Sequence, residues 1–143
     1  MMSNFSKITV EALVNKNVAD LWPLYTEPQH MTKWNQASDD WHSPRAENDL
    51  KDGGRFVIRM EAKDGSMGFD FSGTYNEVIL HKKIHYTMDD TREAETTFSD
   101  ENGKTKITIT FDAETENSLD MQRSGWRAIL NSFKTFSHRF CII

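Results

Sequence analysis

A single cysteine, Cys141, excludes an internal disulfide in this 143-residue chain and fits a reducing cytoplasm. In Cys141-Ile142-Ile143 that cysteine stands one position too close to the end for prenylation. No apolar run approaches the roughly 18–20 residues needed to span a bilayer. The opening Met1-Met2-Ser3-Asn4-Phe5-Ser6 lacks an apolar signal core, so export is not expected. Positive charge is scarce too. The net charge is −5, and Lys and Arg never cluster as a phosphate-backbone binder requires, which argues against nucleic acid. Long repeats, linkers and low-complexity stretches are absent. The expectation is one cytoplasmic domain over residues 1–143, with its core at about 5–139, long enough to bury roughly 70% of its unfolded surface.

Catalytic and metal motifs are equally thin. No G-x-S-x-G elbow occurs, and no Ser or Cys is placed by a nearby base. His81 and His85 have zinc-pair spacing only on a helix. On a strand they stand about 13 Å apart, too far for one ion. Asp39-Asp40, Asp89-Asp90 and Glu93 with Glu95 fall at turns or on opposite strand faces, so they read as solvated charge. Gly53-Gly54 joins two strands with no helix behind it, so turn chemistry explains it better than a phosphate loop. Neither a metal nor a cofactor is expected.

What the chain does have is an amphipathic helix over about 117 to 139. Leu119, Gln122, Trp126, Ile129, Leu130, Phe133, Phe136 and Phe140 recur at three- and four-residue steps. Arg123, Arg127, Asn131, Lys134 and His138 take the other face. Such a stripe must pack on a broad apolar surface. Most of the remaining chain alternates as strands do. Ile8, Val10, Ala12 and Val14 form the first. Two short helices follow, the first capped by Asn17 and running through Leu24, with Pro23 expected to kink or end it. The second is entered through a capping box at Thr26-Glu27-Pro28-Gln29 and closes at Trp34. Residues 35–44 read as loop. From Ala46 onward come six strands joined by hairpin-length turns, ending in the alternating Ile107, Ile109 and Phe111. The fold class is therefore α+β: an antiparallel sheet of about seven strands, twisted enough to curl around one long helix and leave a cavity.

This order and these motifs resemble the START-like (birch-pollen-allergen-type, SRPBCC) superfamily. Within it, the chain is most similar to the C-terminal-domain family of the heat-shock-protein-90 ATPase activator. The resemblance rests on Val18 to Trp22, Trp34, Asp49-Leu50 with Gly53-Gly54-Arg55-Phe56, Gly65 and Gly73-Thr74-Tyr75-Asn76-Glu77-Val78. Ile84-His85-Tyr86-Thr87, the strand from Thr105 to Phe111, and Gln122-Arg123-Ser124-Gly125-Trp126 complete it. It implies a helix-grip fold whose internal cavity holds an apolar small molecule.

Candidate ligand-binding residues follow from the aromatics and from two residues that break the helix stripe. Trp126 and Ile129 are expected on the helix wall, with Met60, Phe71, Tyr75 and Tyr86 opposite. Trp34 and Trp41 can rim a pocket, each joining an apolar body to a hydrogen-bonding tip. Gln122 lies mid-stripe, where an unsatisfied buried amide costs about 1–3 kcal/mol. It must bond either the sheet or a guest. Gly125, mid-helix, reads as close backbone approach or as space for that guest. The leading reading is binding of an apolar or aromatic small molecule. The alternatives are a cavity-based enzyme of cyclase, dehydratase or hydrolase type, and a surface module meeting a chaperone, another protein partner or a second copy.

Overall fold

The computed structural model describes residues 5–139, so the expectations for Phe140 and Cys141 lie outside the described residues. The chain forms β1 (Lys7–Val14), α1 (Val18–Thr26), α2 (Pro28–Trp34), β2 (Trp41–His42), β3 (Ala46–Asn48) and β4 (Arg55–Ala62). It continues through β5 (Gly68–Ile79), β6 (Lys83–Met88), β7 (Glu93–Glu101) and β8 (Lys104–Asp112) to α3 (Leu119–Arg139). Every strand pairing is antiparallel, in the order β1-β8-β7-β6-β5-β4-β2, with β3 also paired to β4. The sheet curls around α3, which is the helix-grip arrangement. Among the described residues no helix is long and apolar enough to cross a membrane.

Alternation in the sequence becomes burial in the sheet. Ile8, Val10 and Val14 on β1 and Ile107, Ile109 and Phe111 on β8 are buried, with Ile8 opposite Phe111 and Val10 opposite Ile109. The eighth strand is β2, inside the segment expected to be loop. It pairs Trp41 with Ala62 and His42 with Glu61. Two residues are too few to show a period-two pattern, which is why it escapes sequence reading.

The helix starts need two corrections. Asn17 does cap α1, accepting from the Asp20 backbone N–H at 2.9 Å. Pro23 does not end α1, which runs on past Leu24 to Thr26. The Thr26 capping box does not form. Thr26 belongs to α1, its hydroxyl donates to the Trp22 carbonyl, and Glu27 occupies the N-cap of α2. For α3 the cap is Ser118, whose hydroxyl oxygen accepts from the Met121 N–H at 3.1 Å.

A β-bulge at Asn76 shifts the β5–β6 register. Before it Tyr75 faces Tyr86, and after it Val78 faces Ile84. The extra residue keeps inner positions inward while increasing local twist. On the same strand Gly73 is a point of close approach, since a Cβ there would lie 2.5 Å from the Thr87 carbonyl oxygen and 3.0 Å from the Phe56 ring.

Helix α3 packs along β1 and against α1 and α2, so it covers one side of the curled sheet and faces the other across a gap. Gly125 is not a point of close approach, because a Cβ there would meet nothing within 4 Å. Gly125→Ala should therefore raise stability by about 0.5–1 kcal/mol, the helix-interior penalty of glycine. Urea denaturation checks this, and an unchanged or lower midpoint would contradict it.

Candidate functional site

The gap between α3 and the far strands is a cavity of about 270 Å³. Trp126, Ile129 and Leu130 form its helix wall, and Tyr25, Met31 and Trp34 close one side from the short helices. The sheet contributes Phe56, Ile58 and Met60 from β4, Phe69, Phe71 and Tyr75 from β5, and Ile84 and Tyr86 from β6. Thr96 and Ile109 complete it from β7 and β8.

Aromatic packing fixes these walls. Trp126 stacks on Phe111 with ring centroids 3.9 Å apart and planes 9° from parallel. Its edge meets Phe71 at 6.2 Å, so one indole joins β8 to β5 beneath the helix. Phe56 sits among Tyr86, Tyr75 and Phe71 at 4.8, 5.3 and 5.5 Å. Trp34 and Phe133 pack edge to face at 5.0 Å, and the Trp34 indole N–H donates to the Leu24 carbonyl.

Polar groups are few, and most are committed. The Tyr75 hydroxyl donates to Asn48 Oδ1 at 2.5 Å, and Asn48 Nδ2 donates to the Thr26 carbonyl at 2.6 Å. This chain ties β5 through β3 to the end of α1. Tyr25 is hydrogen-bonded with Thr96. Burial pushes the phenols of Tyr25, Tyr75 and Tyr86 above their usual 10, so all three stay protonated at neutral pH. Arg92, from the β6–β7 turn, also reaches the wall.

Of the expected site residues, Trp34, Met60, Phe71, Tyr75, Tyr86, Trp126 and Ile129 line this one cavity. Trp41 and Gln122 do not. Trp41 stands half-buried on the edge strand β2, its ring 6.1 Å from Phe69. Gln122 is buried, but its amide serves the chain itself. Its Oε1 accepts from the Glu114 N–H at 2.8 Å, and its Nε2 donates to the carbonyls of Glu114 at 3.0 Å and Asn117 at 2.9 Å. It closes the β8–α3 connection and has no amide proton left for a guest.

Sequence reasoning missed Tyr25, Asn48, Arg92 and Thr96. Thr96 could have been found, since it lies between Ala94 and Phe98 on an alternating strand. Arg92 follows Thr91, whose φ of 80° no pattern signals. His81 and His85 go to different partners, the Trp22 ring and Glu93. Among the described residues no cluster of three or more His, Cys, Asp or Glu is placed to hold a metal ion.

Comparison with known proteins follows the same geometry. A solved structure of an AHSA1-like protein from Aeromonas hydrophila is 41% identical and superposes with a TM-score of 0.87, covering 93% of this chain and 92% of that one. A solution structure from Cytophaga hutchinsonii is 47% identical at a TM-score of 0.82, covering 92% of each chain. A crystal structure from Nitrosomonas europaea shares the fold at 19% identity, with a TM-score of 0.80 and coverage of 93% and 94%. No curated protein sequence matches. The profile of one sequence family matches residues 15–137. With most of its length matched and its helix-grip sheet in place, the chain belongs to the family described as Activator of Hsp90 ATPase homolog 1-like protein, within the START-like superfamily.

Proposed function

We propose that the cavity is a binding site for a compact apolar or aromatic small molecule. The observation that carries this reading is the cavity itself. It is a gap of about 270 Å³ walled by aromatic and aliphatic side chains, between a helix and a sheet held apart by their own packing. Small-molecule sites run from about 300 to 1,000 Å³, so this one suits one or two rings better than a sterol or a long acyl chain. Transfer of such a body from water gains about 25 cal/mol per Å² of apolar surface, before the costs of association.

An enzymatic reading finds less support. General acid–base work at neutral pH uses groups titrating near 7. The ionisable lining residues are three tyrosines pushed upward and one arginine.

Titration with naphthalene tests the binding reading. Saturable change in tryptophan emission is expected, since Trp34 and Trp126 are in the wall. At ten times the dissociation constant the stabilisation is about 1.4 kcal/mol, or about 4 °C in Tm for a chain of this size. Ile129→Trp, which fills the space from the helix side, should fold and lose both responses. A wild-type protein that shows neither response, or a filled variant that keeps both, would sink the proposal.

A further inference from the structure

Of the three phenols in the cavity wall, two are spoken for and one is not. Tyr75 donates to Asn48, and Tyr25 is paired with Thr96. Among the described residues no hydrogen bond engages the Tyr86 hydroxyl. Tyr86 belongs to a wall that surrounds open space, so its hydroxyl is free to donate to a group placed there. The cavity is thus asymmetric, with an unmet donor on one side of a mostly apolar lining.

The same end of the cavity holds Arg92. Its side chain is only 16% exposed and is fixed at two nitrogens. Nε donates to Asp90 Oδ2 at 2.8 Å, and Nη1 donates to the Asp112 carbonyl at 3.2 Å. The hairpin that delivers it is tightly set, with the Met88 N–H donating to the Arg92 carbonyl at 2.7 Å and Thr91 at positive φ. Nη2 has no acceptor among the described residues. Across the β6–β7 hairpin Tyr86 pairs with Ala94, two positions after Arg92, so the Tyr86 and Arg92 side chains are diagonal neighbours on the face that lines the cavity.

The surrounding acids do not cancel this arrangement. Asp90, the ion-pair partner, has a side chain 54% exposed, so solvent screens its charge. The buried Asp112 carboxylate already takes Lys7 on one oxygen and the Glu93 N–H, at 2.9 Å, on the other. Glu114, which also feels the Arg92 charge, accepts from the backbone N–H groups of Glu116 and Asn117.

We infer that the guest carries a hydrogen-bond-accepting head, a carboxylate in preference to a neutral carbonyl, held by the Tyr86 hydroxyl and the Arg92 guanidinium while its aromatic body lies against Phe71, Ile129 and Trp126. The inference rests on the cavity-binding reading and adds the chemistry of the head group. A phenol can donate and a guanidinium only donates, so together they satisfy an acceptor, while the guanidinium charge repels an ammonium. A carboxylate gains most because hydrogen bonds to a charged acceptor are the stronger kind.

The test uses naphthalene, naphthamide, naphthoate and naphthylmethylamine, titrated into the wild-type protein, Tyr86→Phe and Arg92→Gln. Naphthoate should bind at least about tenfold more tightly than naphthalene, with naphthamide between them and the amine weakest. Tyr86→Phe deletes one oxygen and should weaken naphthoate by about tenfold while leaving naphthalene within about twofold. Naphthalene binding also shows that each variant keeps its cavity. If naphthalene binds the wild-type protein as tightly as naphthoate does, head-group recognition is wrong and the apolar cavity stands. A naphthoate preference that survives both substitutions likewise overturns the inference. If neither compound binds, the inference and the cavity reading fall together.

Discussion

Replacing Phe133 by alanine should lower stability by about 4 kcal/mol, within the range for deleting a buried aromatic side chain. Phe133 is fully buried on α3, meeting Tyr25 and Trp34 edge to face at 5.0 Å each. Alanine removes the ring's transfer free energy and the edge-to-face contacts, and it leaves a void that rigid neighbours fill poorly. Thermal unfolding should show a Tm lower by about 12 °C, at about 3 °C per kcal/mol for a chain of this length. The effect reaches the candidate site, because Tyr25 and Trp34 both line the cavity and both lean on Phe133. Ligand affinity should therefore fall with stability. A loss under about 1.5 kcal/mol would mean that α3 is not the packed centre described above.

The second large effect is expected at Gly54, where adjacent glycines differ in their reasons. Gly53 has a φ of 81° with open space around it, so alanine there meets only backbone strain, about 1 kcal/mol. Gly54 has no such φ, but a Cβ on it would lie 2.0 Å from the Asp49 carbonyl oxygen. That atom is backbone and cannot swing aside. Gly54→Ala should cost about 3 kcal/mol, at the upper end for overpacking. The disturbance spreads along named bonds. The Gly54 carbonyl accepts from the Tyr75 N–H at 2.9 Å, and the Asp49 N–H donates to Arg55 at 2.9 Å. Both lie beside the Tyr75–Asn48 bond at the cavity edge. Chemical denaturation of the two alanine variants should rank Gly54 well above Gly53. Equal losses would contradict the close-approach reading and favour the shared turn role that the sequence suggests.

Much of the fold is legible because it rests on periodicity. The β1 and β8 alternation and the α3 stripe are set by which side chains must leave water, and the sequence carries those spacings directly. The aromatic part of the cavity is legible for the same reason, since Phe71, Tyr75, Tyr86 and Trp126 are inner-face positions of long regular elements. What is lost is what irregular backbone decides. Gln122 is an amide in an apolar stripe, and the stripe looks identical whether that amide bonds a guest or its own connecting loop. The loop folds back so that Glu114 and Asn117 present the needed groups. Arg92 reads as a turn residue, yet the left-handed Thr91 before it leaves its side chain in the cavity wall. Trp41 has the chemistry of a pocket residue, but β2 pairs at the sheet edge and sets it outside.

The central claim is that a small aromatic guest sits between α3 and the sheet. Intermolecular nuclear Overhauser effects from bound naphthoate test it most directly. The account predicts contacts to the methyl groups of Ile84, Ile109, Ile129 and Leu130 and to the Trp126 ring, which converge only inside the cavity. Contacts confined to exposed apolar side chains such as Met67, Leu80 and Met121, or none at saturating ligand, would contradict it.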